Sequence, residues 1–349
     1  MKNFVPCPDN IVKAARNIEV KRIPLYEHHI SGGIMEKILG QEVNCLMDGD
    51  FEDKKEWVRR QAAFYRKMGY DFFNYDLNIG AAMPGSGALG RHVDPVIKDR
   101  ADFEKYPWEQ IPDLYFKKYG AYFDALQAAM PKDIMAFGGP GNGIFECVQE
   151  LTGYENLCYI KADDEQLYTD LFKKIGETNY KIWKRFLKQY GGCYAVFRFG
   201  DDLGFKHSTL LSAEDIKLHI LPQYKKIVDM IHSTGKPFLL HSCGCIFNVM
   251  DDIISKVGID AKHSNEDEIA PFWEWVERYG DRIGNFGGID TDVVCRRSKP
   301  ELRDYITEVV AKSKGHGGFA FGSGNSIPDY VPVKNFIAMN EIIREIRGE

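Results

Sequence analysis

The chain has 349 residues, of which 44% are hydrophobic and 28% charged, the composition of a soluble globular protein. Its 45 Lys and Arg residues and 51 Asp and Glu residues give a net charge of −6. This mildly acidic balance gives no electrostatic reason to expect binding to nucleic acid or to a membrane surface. No apolar run approaches the roughly 18 residues that span a bilayer, and residues 1–8 lack the apolar core of a signal peptide. Eight irregularly spaced cysteines indicate reduced thiols, so we expect a cytoplasmic protein.

Short apolar runs that end at polar residues predict eight strands. In chain order they cover 22–27, 70–76, 133–140, 193–202, 237–243, 259–264, 283–290 and 318–325. A helical lead-in occupies the first twenty residues, and amphipathic patterns predict further helices. These cover about 32–39, 51–68, 144–151, 163–190, 212–232, 245–257, 266–279, 298–313 and 333–347.

Eight strands that alternate with helices are typical of a (β/α)8 barrel of the TIM type, an α/β fold. We therefore predict a single domain over 1–349. The interval 77–132 is too long for a plain crossover and is predicted to be an insertion after the second strand, over the barrel mouth. Reactive side chains end the predicted strands, and in such a barrel these ends meet on one face. They are Glu27, Asp76, Asp201, Asp202, His241, Cys243, His263, Asp290 and Ser323.

The fifth predicted strand carries half of a possible metal site. His241 and Cys243 are two residues apart and therefore point the same way on an extended chain. An imidazole and a thiol are typical zinc ligands. Glu266 is a candidate third ligand, although it also fits the first turn of the predicted helix 266–279 with Asn265 as its cap. His263 is the alternative third ligand.

An aspartate pair and a glycine-rich run also bear on function. Asp201 and Asp202 are adjacent, so only one of them faces the mouth, and we favour Asp202. Asp202 and Glu27 are the candidates for orienting a substrate. The run Gly139-Pro-Gly-Asn-Gly143 does not match the G-x-G-x-x-G pattern, because Ile144 interrupts it, and it does not open the fold, so a nicotinamide or flavin site is disfavoured.

Several segments together resemble the uroporphyrinogen decarboxylase-like superfamily of barrels, and the resemblance covers most of the chain. They are Arg22-Ile-Pro-Leu, Gly200-Asp-Asp-Leu-Gly204, His241-Ser-Cys-Gly244, Gly287-Gly-Ile-Asp290 and Ile327-Pro-Asp-Tyr-Val-Pro-Val-Lys-Asn335. True decarboxylases of this superfamily carry an Arg-Gln-Ala-Gly-Arg run after the first strand, which grips the substrate carboxylates. The equivalent stretch here, 26–33, has no arginine.

The second class in this superfamily consists of zinc methyltransferases that work with corrinoid proteins. Their His-x-Cys pair matches His241 and Cys243, and a Glu a little over twenty residues on, as in cobalamin-independent methionine synthase, matches Glu266. The thiol-methylating members have a Cys in the eighth strand, where this chain has Ser323. A serine hydroxyl is a poor zinc ligand, so the resemblance implies a harder zinc that polarises an oxygen.

The run Gly322-Ser-Gly-Asn-Ser-Ile-Pro-Asp-Tyr-Val-Pro332 looks like the methyltransferase I component of anaerobic aryl-ether O-demethylases. The resemblance therefore implies transfer of a methyl group from a small methoxylated, aromatic substrate to the cob(I)alamin of a partner corrinoid protein, with Zn2+ on His241, Cys243 and Glu266. The chain lacks an Asp-x-His-x-x-Gly run, so the cobalamin comes from the partner. A methylcorrinoid-to-thiol transferase, a decarboxylase and a non-catalytic tetrapyrrole binder are the alternatives. A homodimer is left open.

Overall fold

A computed structural model describes residues 4–91 and 93–349, with only the backbone of Arg91. Seven parallel strands form one curled sheet in the order β1 to β7, as expected for a TIM-type barrel. The strands are β1 Phe72–Leu77, β2 Met135–Pro140, β3 Tyr194–Gly200, β4 Phe238–His241, β5 Ala261–His263, β6 Gly284–Ile289 and β7 Phe319–Ser323. They correspond to the second to eighth predicted strands, so the predicted fold class is confirmed.

Helices connect the strands and surround the sheet. The α-helices are α1 Pro8–Ala15, α2 Gly32–Leu39, α3 Phe51–Met68, α4 Ala88–Arg91, α5 Arg100–Lys105, α6 Ile111–Ala129, α7 Ile144–Thr152, α8 Tyr154–Asp163, α9 Glu165–Tyr190, α10 Ala213–Asp215, α11 Leu221–His232, α12 Phe247–Asp252, α13 Phe272–Tyr279, α14 Thr291–Arg296, α15 Lys299–Ser313 and α16 Val333–Ile346. Short 3-10 turns occupy Asn44–Leu46, Gly80–Ala82, Trp108–Gln110 and Gly191–Cys193, and π-helical turns occupy Ile216–Ile220 and Ile253–Val257. Among the described helices, none is both long and apolar enough to cross a membrane.

The first predicted strand, 22–27, is reduced to a single bridge. Leu25 pairs in parallel with Phe321 of β7, and Pro24 limits this ladder because proline has no backbone N–H to donate. On its other side the segment reaches β1, since the Asn74 side chain donates to the Glu27 carbonyl at 2.8 Å. The segment therefore fills the gap between the two edges of the curled sheet, which is the place of the first strand in a barrel.

The strand register aligns the polar strand ends. His241 of β4 lies opposite Gly200 of β3 on one side and His263 of β5 on the other. Beneath them, aromatic rings pack in the barrel interior. The ring centroid of Tyr26 lies 5.3 Å from that of Phe137 and 5.0 Å from that of Phe286. The parallel pairing of β3, β4 and β5 holds their ends side by side, so residues one or two positions beyond them meet at the mouth.

Candidate metal centre

A cavity of about 360 Å³ opens at the carboxyl ends of the strands. Its size suits a small molecule. The long interval between β1 and α6 contributes to its wall, as do the loops after β2, β3, β4 and β7. The lining residues are His28, Asp76, Asn78, Leu89, Gly141, Asn142, Glu146, Glu150, Gly200, Asp202, His241, Cys243, Asn325 and Ser326.

Three possible metal ligands converge on this cavity. The Cys243 Sγ lies 3.4 Å from the His241 Nε2, which lies 3.7 Å from the Asp202 Oδ1. Ideal bond lengths and tetrahedral angles around zinc place a nitrogen about 3.5 Å from a sulfur ligand and about 3.4 Å from an oxygen ligand. The spacing and the donor set, one imidazole, one thiol and one carboxylate, therefore fit Zn2+.

A chain of hydrogen bonds fixes the tautomer of His241. The Ser323 carbonyl lies 3.1 Å from the His263 Nε2 and only accepts, so this nitrogen carries the proton. The Nδ1 of neutral His263 is then an acceptor, and the His241 Nδ1, 2.7 Å away, donates to it. Burial lowers the pKa of His263 to about 3 and that of His241 well below its usual range, so both rings are neutral. The His241 Nε2 is left with a free lone pair directed towards Cys243 and Asp202, as a metal ligand requires.

This geometry predicts that His263 controls metal affinity without touching the metal. In His263→Phe the His241 Nδ1 loses its acceptor, and the ring is free to change tautomer and rotate. We expect zinc affinity to fall by about 10- to 100-fold, as for other residues that orient metal ligands. Competition titration with a chromogenic chelator measures the change. His263→Gln restores an acceptor and should recover part of the affinity; if His263→Phe binds zinc like wild type, the proposed orientation of His241 is wrong.

Polar side chains contact the Cys243 thiol. The Asn325 Nδ2 lies 3.3 Å and the Ser264 Oγ 3.7 Å from the Cys243 Sγ. Burial, together with the charge of Asp202, raises the pKa of the Cys243 thiol far above its usual range. A bound dication would reverse this shift, because metal coordination deprotonates a thiol.

The two adjacent aspartates have different roles. Asp202 is half exposed in the cavity wall, where its Oδ1 also accepts the Cys243 backbone N–H at 2.9 Å. Asp201 is fully buried and turned the other way, and its carboxylate accepts the backbone N–H groups of residues 144, 145 and 146 at 2.7–2.9 Å and the Tyr224 hydroxyl. The structure thus places Asp202 at the mouth, as the sequence favoured, and makes Asp201 the anchor of α7.

Asp201 should therefore matter for stability rather than for metal binding. In Asp201→Ala the first turn of α7 loses its buried acceptor, and Tyr224 loses its partner. We expect the free energy of unfolding to fall by roughly 2–4 kcal/mol, because several buried donors are left unpaired. Urea denaturation measures this. Zinc content of the folded variant should stay near that of wild type, and a selective loss of zinc with unchanged stability would contradict the assignment.

Glu27 and Ser323 lie together below the cavity rather than in its wall. Glu27 is fully buried; its Oε1 accepts the Ser323 backbone N–H at 3.0 Å and its Oε2 accepts the Ser323 hydroxyl. Burial raises the pKa of Glu27 to about 8. Its contacts tie the segment after Leu25 to the end of β7. No described contact directs Glu27 towards the cavity, so a role in orienting substrate remains a prediction from sequence.

The structure does not bring Glu266 to the other ligands. Among the described residues, His241 and Cys243 group with Asp202, and Glu266 instead lines a neighbouring cleft of about 710 Å³. The predicted helix 266–279 also begins later than expected, at Phe272. Residues 266–270 form a turn in which the Ala270 N–H bonds to the Glu266 carbonyl, and Pro271 then precedes the helix. The alternative reading of Glu266 as a first-turn residue of this helix is therefore wrong.

The sequence analysis did not identify several residues in and beneath the cavity. Arg198 is buried in the barrel, where it pairs with Asp76 at 2.7 Å and contacts the Tyr26 hydroxyl at 2.9 Å. In the sequence, Arg198 stands out as a lone basic residue inside the apolar run of β3. Glu146 lies in the cavity wall, and burial, together with the charges of Asp201 and Asp202, raises its pKa well above the usual range.

His28, the third residue that sequence reasoning passed over, stacks on His241 with ring centroids 3.6 Å apart. Burial and the neighbouring His241 lower the pKa of His28 well below its usual range, so its ring is neutral. In the sequence, His28 could have been noticed as one of two adjacent histidines, 28 and 29, directly after the segment that takes the place of the first strand.

Comparison with known proteins agrees with this architecture. The uroporphyrinogen decarboxylase (URO-D) family profile matches residues 8–346. A uroporphyrinogen decarboxylase of Carboxydothermus hydrogenoformans is 23% identical over 299 residues, 80% of each chain. Among solved structures, a methyltransferase from Methanosarcina mazei superposes with a TM-score of 0.77 at 13% identity, covering 98% of this chain and 99% of that one.

A more distant solved structure also shares the fold. It is described as a putative vitamin-B12 independent methionine synthase from Listeria monocytogenes, and it superposes with a TM-score of 0.53 at 10% identity over 95% of this chain and 99% of that one. At these identities the two superpositions establish a common barrel and nothing about substrate. The profile match, which extends over nearly the whole chain, shows that the protein belongs to the uroporphyrinogen decarboxylase family.

Proposed function

We propose that this protein is a zinc-dependent methyltransferase that moves a methyl group from a small methoxylated aromatic compound to the reduced cobalt of a corrinoid carried by a partner protein. The observation that carries the proposal is the convergence of the His241 Nε2, the Cys243 Sγ and the Asp202 Oδ1 on a cavity of small-molecule size. Barrels named as a methyltransferase and as a methionine synthase share the fold, which supports the same class of reaction.

Three protein ligands leave a fourth zinc position for an exogenous oxygen. When bound, zinc supplies a Lewis acid that stabilises negative charge on that oxygen. The protein holds the ligands in place through its own contacts: His263 fixes the His241 ring, and the Cys243 backbone N–H holds the Asp202 carboxylate.

The position of Ser323 favours an oxygen substrate over a thiol acceptor. Its hydroxyl is fully buried and hydrogen-bonds with the Glu27 carboxyl group and the Asn325 carbonyl, away from the candidate ligands. The site therefore offers a single thiol, Cys243, and the Asn325 amide further withdraws charge from its sulfur by hydrogen bonding. A zinc ion with one sulfur ligand is a stronger acid towards oxygen than one with several.

The cavity wall disfavours decarboxylation of a substrate with many carboxylates. The lining residues that the structure describes include four carboxylates, Asp76, Glu146, Glu150 and Asp202, and neither Lys nor Arg. The nearby guanidinium of Arg198 is buried beneath the cavity and already paired with Asp76. A polycarboxylate would therefore find no Lys or Arg among the described lining residues, where a decarboxylase of this family needs cations.

An open cleft beside the cavity supports the use of a second, larger reactant. This cleft of about 710 Å³ shares Asn325 and Ser326 with the smaller cavity. The two spaces adjoin at the barrel mouth, which supports a small methyl donor in the cavity and approach of the partner's corrinoid from the side of the cleft. In-line transfer of a methyl group requires such a pair of adjoining spaces.

The proposal is tested with purified protein, metal analysis and cob(I)alamin. Zinc-loaded protein should convert cob(I)alamin to methylcobalamin in the presence of methoxybenzenes or methoxyphenols, as followed by absorbance under anaerobic conditions. Removal of zinc by a chelator should stop the conversion, and added zinc should restore it. Methylation of coenzyme M or homocysteine from methylcobalamin would instead indicate the thiol transferase, and tight cobalamin binding without zinc or turnover would indicate a corrinoid binder.

A further inference from the structure

His28 is a polar side chain at the centre of the site whose chemistry the metal ligands do not use. It is partly buried, lines the cavity, and its ring lies 3.6 Å from that of His241 with an angle of 12° between the planes. The ligand atoms of His28, His241 and His263 also lie close enough together for these three residues to be a possible metal site. The question is whether His28 binds the metal or the substrate.

The stacking geometry excludes joint ligation of one ion by His28 and His241. The lone pairs of an imidazole lie in the plane of its ring, and those of two nearly parallel rings run side by side without converging. An ion midway between the rings would lie far out of both planes. The Nδ1 atoms of His241 and His263 are moreover already engaged with each other at 2.7 Å. His28 is therefore available to another partner.

The surroundings of His28 select the tautomer that it presents to the cavity. Its Nδ1 is buried and has no hydrogen-bond partner among the residues that the structure describes. A buried N–H without an acceptor is less well tolerated than a buried lone pair without a donor, so the proton belongs on Nε2. The ring edge that carries Cε1 and Nε2 faces the cavity lining, because a Cβ placed on Gly200, which lines the cavity, would lie 3.9 Å from the His28 Cε1 and 4.0 Å from its Nε2.

We infer that His28 donates its Nε2–H to the oxygen of the methyl donor, an inference that rests on the proposed function and adds a catalytic residue to it. In the transfer the bond between the methyl carbon and the oxygen breaks and its electron pair stays on the oxygen. The new cobalt–carbon bond uses an electron pair of Co(I), and water protonates the phenolate after release. The hydrogen bond from His28 strengthens as charge develops on the oxygen, so it lowers the barrier.

Two matched variants test this role. His28→Phe keeps a flat ring against His241 but has no donor, whereas His28→Gln keeps an N–H at a similar distance from the backbone. We expect His28→Phe to lower the rate of methyl transfer about 100-fold, as loss of an oxyanion donor does, and His28→Gln to recover most of it. The loss should shrink for nitrophenyl methyl ethers, whose leaving oxygen needs less stabilisation. An equal loss for all ethers, or no loss at all, would overturn the inference.

Two measurements separate this inference from the function on which it rests. Zinc content of His28→Phe should equal that of wild type, and a loss as large as in His241→Ala would make His28 a ligand instead. Binding of 4-nitrophenol to the metal-free protein, followed by absorbance, should weaken about 5-fold or more in His28→Phe. If wild type transfers no methyl group yet binds the phenol in this His28-dependent manner, the proposed function fails and the hydrogen bond stands. If phenol binding is unchanged, the hydrogen bond is refuted.

Discussion

Cys243→Ala, His241→Ala and Asp202→Asn should each lose stoichiometric zinc, with an affinity lowered by more than about 100-fold, since loss of an orienting residue alone costs 10- to 100-fold. The ligand atoms of these residues lie within 4.8 Å of one another and match the spacing around a tetrahedral ion. Asp202→Asn is the most informative of the three, because an asparagine oxygen still accepts the Cys243 backbone N–H and so preserves the loop. Elemental analysis after dialysis against metal-free buffer measures the effect.

Glu266→Gln is the matched control, because it removes the carboxylate that the sequence favoured as the third ligand. It should retain zinc, since Glu266 lines the neighbouring cleft. If Glu266→Gln loses zinc while Asp202→Asn retains it, the third ligand is Glu266 and the turn at 266–270 rearranges when the metal binds. Methyl transfer to cob(I)alamin should follow zinc content across all four variants.

The contribution of Glu27 to the stability of the protein should fall as the pH rises from about 5 to 8. Burial raises the pKa of Glu27 from 4.5 to about 8 in the folded state. Between these values the unfolded chain releases a proton that the folded protein keeps. The stabilisation associated with protonated Glu27 is therefore complete below pH 4.5 and lost as the pH passes 8, at up to about 1.4 kcal/mol per pH unit.

Glu27→Gln removes this titration while keeping a side chain of the same shape beside Ser323. We expect the free energy of unfolding of wild type, measured with urea at several pH values, to decrease relative to that of the variant as the pH rises from about 5 to 8. Glu308→Gln is the control, since Glu308 is exposed and pairs with Lys312. Its pH profile should run parallel to wild type. Parallel profiles for Glu27→Gln and wild type would mean that Glu27 is ionised in the folded protein.

The alternation of strands and helices was readable from local patterns alone. Apolar runs that end at polar residues mark buried parallel strands, and seven of the eight predicted strands are present. The exception, 22–27, contains Pro24 and forms one bridge at Leu25, because proline cannot take part fully in a ladder. The predicted helix 266–279 begins only at Phe272, because residues 266–270 form a turn and Pro271 precedes the first helical residue.

The paired residues His241 and Cys243 were also readable from sequence, because two positions on one extended segment share a direction. The partners that complete the site come from other strands, and their choice depends on register. Asp202 reaches the site because Gly200 lies opposite His241, whereas Glu266 follows β5 into a turn that leads away. Sequence spacing favoured Glu266 as the third ligand, with His263 as the alternative, and gave Asp202 only a role in orienting substrate. The three-dimensional placement instead brings Asp202 to His241 and Cys243.

The sequence by itself therefore determined the barrel, the face that carries the chemistry and half of the candidate metal site, since these follow from periodicity along one segment. The tertiary structure decided which carboxylate joins His241 and Cys243, which aspartate anchors a helix, and which tautomer His241 and His28 adopt. It also revealed the buried pair of Arg198 and Asp76. These features arise between segments far apart in the chain, where strand register and burial set distances that no local pattern encodes.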